Sequence, residues 1–474
     1  MMHAIAAVNV QEPPVASQPI GYRLVRHLAR LLVGLFYRRV EVVGIEHVPA
    51  CGPVILAANH QNALVDPMLL LATIPRRVVP IAKAPLFRHP LIAPFLRLAG
   101  AIPVYRRIDV GSNPARNREM FRAAIARLRE AGTVLIFPEG LSQPEPVLMP
   151  LHTGAARMLL SAETAAAGAL GVTLLPVGLL FHELGAFRTG WALVLVGEPV
   201  PTEDCIALYR NVPDTAVRRL TDRLAEALRR LIIEANDRQT LRLLHVVESL
   251  WREEFQEATR DAATQTELIR RVMRAYQYLM PREPQRIESV RAQVERYAKA
   301  LELMGMTGRQ LAQSYPPGVV FRYAIREGLP LLLGLPLALL GIANHVIPYQ
   351  LTARVVLLLR PSPDSEATTK IATGALLYPL CWIAQGWLAW HIGGGWMLGA
   401  FVGSLVPTGF FALTWRERLD RMRQEARGFF QFLMNRNLRD RLHARRRALM
   451  NELTALASLV PESVLAGQSD EVSR

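Results

Sequence analysis

Between residues 38 and 200 short apolar runs alternate with stretches of helical spacing. The runs Val40 to Val43, Val54 to Ala58, Val78 to Ala82, Ala101 to Val104, Val134 to Phe137, Thr173 to Leu179 and Ala192 to Val196 are rich in Val, Ile and Leu and read as buried strands. Helices are predicted after Asp66, around Pro90 to Leu98, from Ala115 to Ala131 and from Gly154 to Ala166. Strand and helix in alternation predict an α/β domain. Ahead of it, Tyr22 to Tyr37 spaces Arg23, Arg26 and Arg30 by three and four and leaves Leu, Val and Phe for the other face. Two readings fit this basic amphipathic helix: it lies in a membrane interface, or it packs as an ordinary surface helix.

Past Val200 the pattern changes. Thr215 to Ser314 is helical in spacing, highly charged, interrupted at Pro281 and Pro284, and closed by Pro316-Pro317-Gly318. Ile371 to Ile392 and Trp396 to Trp415 are each long and apolar enough to span a bilayer, with Gly393-Gly394-Gly395 as the turn between them. Trp382, Trp387, Trp390, Trp396 and Trp415 include interfacial anchors. Leu329 to Pro348 is apolar but holds three prolines and Asn344, so it reads as re-entrant or as a third span. Eleven arginines follow Trp415 up to Arg447, and Arg322 and Arg326 precede the first apolar run. Positive-inside bias then puts both flanks in the cytoplasm, which favours an even number of spans: one two-span hairpin plus a re-entrant or interfacial segment. The expected organisation is an N-terminal segment (1–39), an α/β domain (40–210), a helical connector (211–327), a membrane region (328–415) and an Arg-rich cytoplasmic helical tail (416–474).

Composition narrows the function. Of 474 residues 51% are hydrophobic, so the chain can bury a large core and is not disordered. The net charge of +15 is carried almost wholly by Arg, since Lys occurs only at positions 83, 299 and 370. Such a balance suits anionic lipid, phosphorylated substrates or nucleic acid. Nucleic acid ranks last, because the sequence carries no helix-turn-helix, zinc-finger or aromatic-basic module. Cys51, Cys205 and Cys381 make neither a disulfide framework nor a metal cluster, and residues 1–20 lack the pattern of a cleavable signal. Arg76 to Glu130 holds twelve Lys or Arg against three Asp or Glu, which predicts an electropositive region.

Four islands at strand ends carry the candidate chemistry. The first is Asn59-His60-Gln61-Asn62-Ala63-Leu64-Val65-Asp66-Pro67, where Asp66 suits a helix N-cap and Pro67 the first helical position. The second runs from Gly100 to Arg106 and Arg107, two guanidinium groups just past a strand, where a planar fork can grip a phosphate and where plain surface arginines are also common. The third is Phe137-Pro138-Glu139-Gly140, a turn by itself, whose glycine would let a ligand approach the backbone. Leu175-Pro176-Val177 is the fourth, with Leu151-His152-Thr153-Gly154 opening a helix before it.

In this order the four blocks resemble those of the glycerolipid acyltransferases, the family that includes glycerol-3-phosphate and lysophosphatidic acid acyltransferases; the resemblance covers roughly residues 35 to 205. The usual first block has four residues between His and Asp. Here there are five, and the form H-Q-N-A-L-V-D-P resembles a glycerol-3-phosphate acyltransferase-like branch. The resemblance implies an α/β acyltransferase domain, a mixed sheet flanked by helices; the patterns past Val200 add a helical connector and C-terminal transmembrane helices. It implies acyl-CoA or acyl carrier protein as acyl donor, glycerol-3-phosphate or lysophosphatidate as acceptor, membrane lipids as partners, and no cofactor or metal. It also implies Arg106 on the acceptor phosphate and Glu139 and Gly140 positioning the glycerol backbone, with Lys83 and Arg107 as further phosphate contacts; the apolar runs and the positive-inside bias add an integral membrane protein with its catalytic domain facing the cytoplasm. A transferase to another lysolipid and a catalytically silent lipid-binding scaffold are the alternatives.

Acyl transfer from a thioester to an alcohol needs a base for the hydroxyl proton, and neutral histidine suits that near pH 7. His60 is the candidate, with Asp66 fixing its tautomer as in a serine hydrolase triad, the substrate hydroxyl taking the place of serine. At about 100° per residue, six steps turn roughly 240°, so no continuous helix puts the two on one face and a loop must bring them together. Gly140-Leu141-Ser142 lacks the G-x-S-x-G elbow, so direct transfer is expected rather than an acyl-enzyme.

Overall fold

The computed structural model describes residues 18–90, 92–105, 117–185, 187–188, 190–235, 238–254, 262–304, 317–434 and 436–466. Two compact units divide the chain: residues 1–237, 261–263 and 361–372 form the first, residues 238–260, 264–360 and 373–474 the second.

The first unit is built on a seven-stranded sheet. Its strands are β1 (Arg39–Val43), β2 (Val54–Ala58), β3 (Val78–Lys83), β4 (Ile102–Val104), β5 (Thr133–Ile136), β6 (Thr173–Phe181) and β7 (Trp191–Val196), in spatial order β1-β7-β6-β2-β5-β3-β4. All pairings are parallel except β6 with β7, so the sheet is mixed. Every residue of β2 is buried, as expected of a central parallel strand covered on both faces. Helices α1 (Ile20–Phe36), α2 (Val65–Thr73), α3 (Ala93–Ala99), α4 (Asn117–Arg129) and α5 (Gly154–Ala165) match the predicted spans closely. The consequence for function is directional: β2, β3, β4, β5 and β6 deliver their C-terminal ends to one edge, where open α/β sheets bind ligands.

One face of α1 packs into the domain. Tyr22, Val25, Ala29, Val33 and Phe36 are buried, and two of the three arginines turn inward to cap α2, Arg26 donating to the Ile74 carbonyl at 2.8 Å and Arg30 to that of Ala72 at 3.1 Å. The helix is a packed layer of the domain, with Ile20, Leu24 and Leu31 left exposed on its outer side. Arg76, one of the basic residues between 76 and 130, lies away from the ligand edge. At the N-terminal end of β3, its guanidinium donates to the carbonyls of Pro49, Cys51, Gly52 and Ala131.

The expected boundary at residue 210 falls too early. Helices α6 (Glu203–Tyr209) and α7 (Pro213–Leu231) belong to the first unit, and α7 buries Ala216, Val217, Leu220, Leu224 and Leu228 against β6 and α5. The amphipathic spacing that suggested a separate connector is that of one more helix covering the sheet.

In the second unit, α8 (Arg238–Glu254), α9 (Ala262–Leu279), α10 (Pro284–Leu303) and α13 (Arg436–Ala457) share a core that includes Leu250, Leu279, Val290, Val294, Leu442 and Leu449. Connector and Arg-rich tail are therefore one helical body rather than two segments. Arg446, nearly buried, bonds Glu253 at 3.2 Å and Glu254 at 3.3 Å, and Arg286 bonds Glu452 at 2.6 Å.

Two further helices, α11 (Pro317–Leu359) and α12 (Glu366–Met434), are long and apolar enough to cross a membrane. The stretch read as re-entrant or as a third span, Leu329 to Pro348, is continuous helix inside α11 despite Pro330, Pro336 and Pro348. The predicted glycine turn is real: Gly394, at φ 68° and ψ −155°, breaks α12 into two helical stretches. Within this unit α11 runs antiparallel to the second of them. Trp415 Nε1 donates to the Leu331 carbonyl, Arg418 pairs with Glu327, and Asn344 reaches Ser404 and Thr408.

Candidate active site

The site is assembled where β2, β5 and β6 end. β2 carries the chain to Asn59, whose side chain clamps the neighbouring strand: its Oδ1 accepts the Leu179 N–H at 2.6 Å and its Nδ2 donates to the Leu179 carbonyl at 3.0 Å. This fixes the point at which the chain leaves the sheet, and His60 is the next residue.

His60 and Asp66 meet across the loop. His60 Nδ1 lies 2.8 Å from Asp66 Oδ2, and the same oxygen accepts the backbone N–H groups of Gln61 and Asn62, each at 2.8 Å. Asp66 is therefore not the N-cap of α2. The helix starts at Val65 with Leu64 as its cap residue, Asp66 sits inside the first turn, and its carboxylate faces back onto the loop. Pro67 follows in the same turn, where a missing N–H costs nothing. The carboxylate is fully buried, and its Oδ1 has no hydrogen-bond partner among the described residues. An acceptor on Nδ1 holds the proton there and leaves the lone pair of the neutral ring on Nε2. The ring stacks on Phe137, centroids 4.1 Å apart and planes 20° apart, and stays partly open to solvent. Phe137 stood in the third motif without a role; its place immediately after a strand was the only signal.

Glu139 braces His60 from the next strand end. Its Oε1 accepts the His60 backbone N–H at 2.7 Å and its Oε2 accepts the Met149 N–H at 3.0 Å, with the side chain buried. Burial pushes its carboxyl above the usual range, and those two amides together with the nearby His60 pull it partly back. The geometry thus commits both oxygens to the protein backbone. Gly140 follows at φ +74°, and a Cβ there would stand 2.7 Å from the ring of His152, so both its conformation and the approach of His152 require glycine. Gln143 N–H returns to the His60 carbonyl at 3.0 Å, tying the third block to the first.

A polar network not anticipated from the sequence lies behind the loop. Asn62, fully buried, donates through Nδ2 to the Tyr37 hydroxyl at 2.9 Å and to the Leu184 carbonyl at 3.1 Å. Burial, with the Asp66 carboxylate nearby, pushes the Tyr37 hydroxyl far up, so it stays neutral.

Lys83 closes β3 at the same edge, exposed, and is paired in register with Val104 of β4. Arg106 and Arg107 lie outside the described residues, which reach Tyr105 on that strand's continuation. Tyr105 is itself held by Asn117, which accepts its N–H at 2.9 Å and donates to its carbonyl at 2.7 Å. The structure thus brings together His60, Asp66, Glu139 and Gly140 and places Lys83 two strands away along the ligand edge.

A histidine held by a buried carboxylate therefore stands at the C-terminal edge of a mixed α/β sheet. Residues 39–180 match the family model described as Acyltransferase, so the sheet and its site form an acyltransferase-family domain. The chain is 28% identical over 198 residues to glycerol-3-phosphate O-acyltransferase 2 of Saccharomyces cerevisiae, an alignment covering 42% of this chain and 26% of that protein. It is 23% identical over 357 residues to glycerol-3-phosphate O-acyltransferase 1 of the same yeast, covering 57% and 46%. Against 1-acyl-sn-glycerol-3-phosphate acyltransferase of Borreliella burgdorferi it is 26% identical over 181 residues, covering 38% of this chain and 69% of that one. The chain thus spans less than half the length of the two yeast relatives. Among solved structures, the 1-acyl-sn-glycerophosphate acyltransferase of Thermotoga maritima aligns with a TM-score of 0.31 at 23% identity, over 42% of this chain and 78% of that one.

Proposed function

We propose that this protein is a membrane-bound O-acyltransferase that moves a fatty acyl group from acyl-CoA or acyl carrier protein to a glycerol-phosphate acceptor, glycerol-3-phosphate or lysophosphatidate, in phospholipid synthesis. The observation that carries it is the contact of His60 Nδ1 with the buried Asp66 at 2.8 Å, inside a domain of the acyltransferase family. Nε2 of His60 takes the proton of the acceptor hydroxyl as its oxygen attacks the thioester carbonyl. Asp66 stabilises the imidazolium, the tetrahedral adduct collapses with cleavage of the carbon–sulfur bond, and the imidazolium returns its proton to the departing thiolate. Glu139 holds the backbone that presents His60 and leaves the acceptor's phosphate to the basic residues Lys83, Arg106 and Arg107. The scheme uses no metal or prosthetic group.

Membrane attachment rests on α11 and α12. Leu332, Leu333, Leu358, Ile383, Trp387 and Trp396 are each more than 60% exposed on these helices, far more apolar surface than a helix in water leaves open. The Arg-rich sequence after Trp415 favours the cytoplasmic side for that flank and for the catalytic domain.

The test is a radiolabelled acyl-transfer assay on the full chain in lipid vesicles, with glycerol-3-phosphate and lysophosphatidate as parallel acceptors. Transfer to one of them, abolished in His60→Ala, is expected. Transfer only to a different lysolipid moves the acceptor assignment, and no transfer to any acceptor leaves the silent lipid-binding scaffold.

A further inference from the structure

The loop that joins His60 to Asp66 has one residue more than the usual block of the family it resembles, and its backbone is strained at one position. Ala63 sits at φ 30°, in the left-handed region that a residue with a Cβ adopts only under constraint. The residue before it, Asn62, is tied down by Asp66, Tyr37 and Leu184. The residue after it, Leu64, directs its N–H away from this network. That N–H is accepted at 3.1 Å by the hydroxyl of Thr368, more than three hundred residues downstream.

Thr368 lies in the segment 361–372, which holds the turn after α11 and the first two turns of α12 and belongs to the first unit. The segment is a built part of that unit. Ala367 is fully buried in the core around β2 and α2, and Ile371 packs against the same core. Asp364 accepts the Ser142 hydroxyl at 2.6 Å, two residues beyond Gly140. Lys370 donates to the Gly185 carbonyl at 2.7 Å and to Glu366 at 2.6 Å. The segment therefore touches three loops, those leaving β2, β5 and β6, and these loops also carry His60, Glu139 and the carbonyl that Asn62 binds.

We propose that Thr368 is a positioning residue for the catalytic base: its hydroxyl pins the N–H of Leu64 and so holds the five-residue loop in the strained form that sets Asp66 against His60. The inference rests on the reading of His60 as the base. It does not require Thr368 to touch substrate. Its physical content is that the strained backbone at Ala63 persists only where the contacts around it over-determine the loop, and the hydroxyl supplies the acceptor for Leu64 on a side of the loop that neither Asp66 nor Asn62 serves.

The experiment compares T368V, which keeps shape and removes the acceptor, with T368S, which keeps the acceptor, in the full chain in vesicles. Two readouts are taken: kcat and KM for donor and acceptor, and the rate at which diethyl pyrocarbonate modifies His60, followed by mass spectrometry of its peptide. T368V should lower kcat about five- to tenfold, the equivalent of one lost hydrogen bond, with both KM values unchanged and His60 modified faster. T368S should match the wild type in both. T368A removes the same hydroxyl and gives the result should T368V fail to fold. A wild-type kcat and wild-type His60 reactivity in the folded variant overturn the proposal, as does a loss confined to KM, which would put Thr368 in contact with substrate. Should the wild type transfer no acyl group at all, the enzymatic reading fails by itself, and the His60 modification rates alone decide the role of Thr368.

Discussion

His60 and Asp66 stand 2.8 Å apart although six positions separate them, and a single carboxylate oxygen closes the loop between them by accepting the His60 ring and two successive backbone amides. One atom therefore sets the tautomer of the base and the conformation of the chain that presents it. Asp66 Oδ1 is buried without a partner among the described residues, so the side chain's hydrogen-bonding is concentrated on Oδ2, the oxygen that faces His60.

That division makes Asp66→Asn informative. The amide can place its oxygen where Oδ2 stands and its NH2 where Oδ1 stands, keeping the three donors satisfied, so the fold should hold within about 1 kcal/mol. What disappears is the negative charge that stabilises the imidazolium, and kcat should fall by about 10² to 10⁴, with His60→Ala falling at least as far. Steady-state kinetics beside thermal melting check both halves. A D66N enzyme that keeps its activity would remove Asp66 from the mechanism, and one that unfolds would return it to a structural role.

Glu139 yields a prediction whose sign depends on pH. Burial raises its folded-state pKa above the ordinary 4.5, so the native protein holds this proton more tightly than the unfolded chain. The stability it contributes is full below pH 4.5 and is lost as pH rises through the raised value. Glu139→Gln abolishes the titration and sets an NH2 group against the N–H of either His60 or Met149, at a cost of about 1 to 3 kcal/mol. Melting curves of wild type and E139Q from pH 4 upward should show the wild type ahead by a margin that narrows with rising pH; a margin that widens would mean a depressed pKa and a wrong account of this carboxylate.

The strands were legible because buried parallel strands are written as unbroken apolar runs, and β2 matches its expected span residue for residue. His60 and Asp66 were legible as a spaced pair. The role of Glu139 was not, because nothing in F-P-E-G says that both oxygens will be taken by amides, one of them in the residue beside β2's end. Thr368 could not be read at all: its partner Leu64 is brought to it by the tertiary fold alone, and threonine near the start of an apolar helix carries no distinguishing signal. The arginines of α1 left two readings open for a related reason. Spacing says which face they share, but only packing against α2 reveals that Arg26 and Arg30 satisfy carbonyls at its C-terminal end. Within α11 the three prolines suggested a broken segment, yet a helix whose neighbours compensate the lost bonds tolerates them.

Membrane integration is tested by extraction. If α11 and α12 span the bilayer, the full chain should remain in the pellet through alkaline carbonate and high salt, and only detergent should release it. Replacing the exposed Leu333 by Arg puts a charge on an apolar face at a cost of roughly 2.5 to 3.5 kcal/mol on insertion scales, which should reduce the carbonate-resistant fraction. Release of the wild type by salt alone would leave these helices as surface elements. Protease added to inside-out vesicles should remove the Arg-rich C-terminal helix, because positive-inside bias exposes it on the cytoplasmic face.

The proposed phosphate contact of Arg106 is tested by substitution. β4 ends at Val104 beside Lys83, so the chain that continues through Tyr105 starts from the ligand edge of the domain. A guanidinium can pair two phosphate oxygens in one plane, a geometry that an ammonium does not reproduce, so Arg106→Lys should recover little of what Arg106→Ala loses. For a phosphate-bearing acceptor the loss should be about 1.5 to 3 kcal/mol, roughly ten- to a hundredfold in kcat/KM, carried by the acceptor while the donor's KM stays near wild type. Lys83→Ala should give a smaller loss of the same kind, since its ammonium is exposed and well screened. The opposite pattern, with donor KM rising and acceptor KM steady, would assign the site to the phosphates of coenzyme A. No change in either would strip Arg106 of a binding role and leave acceptor recognition to other residues of the edge.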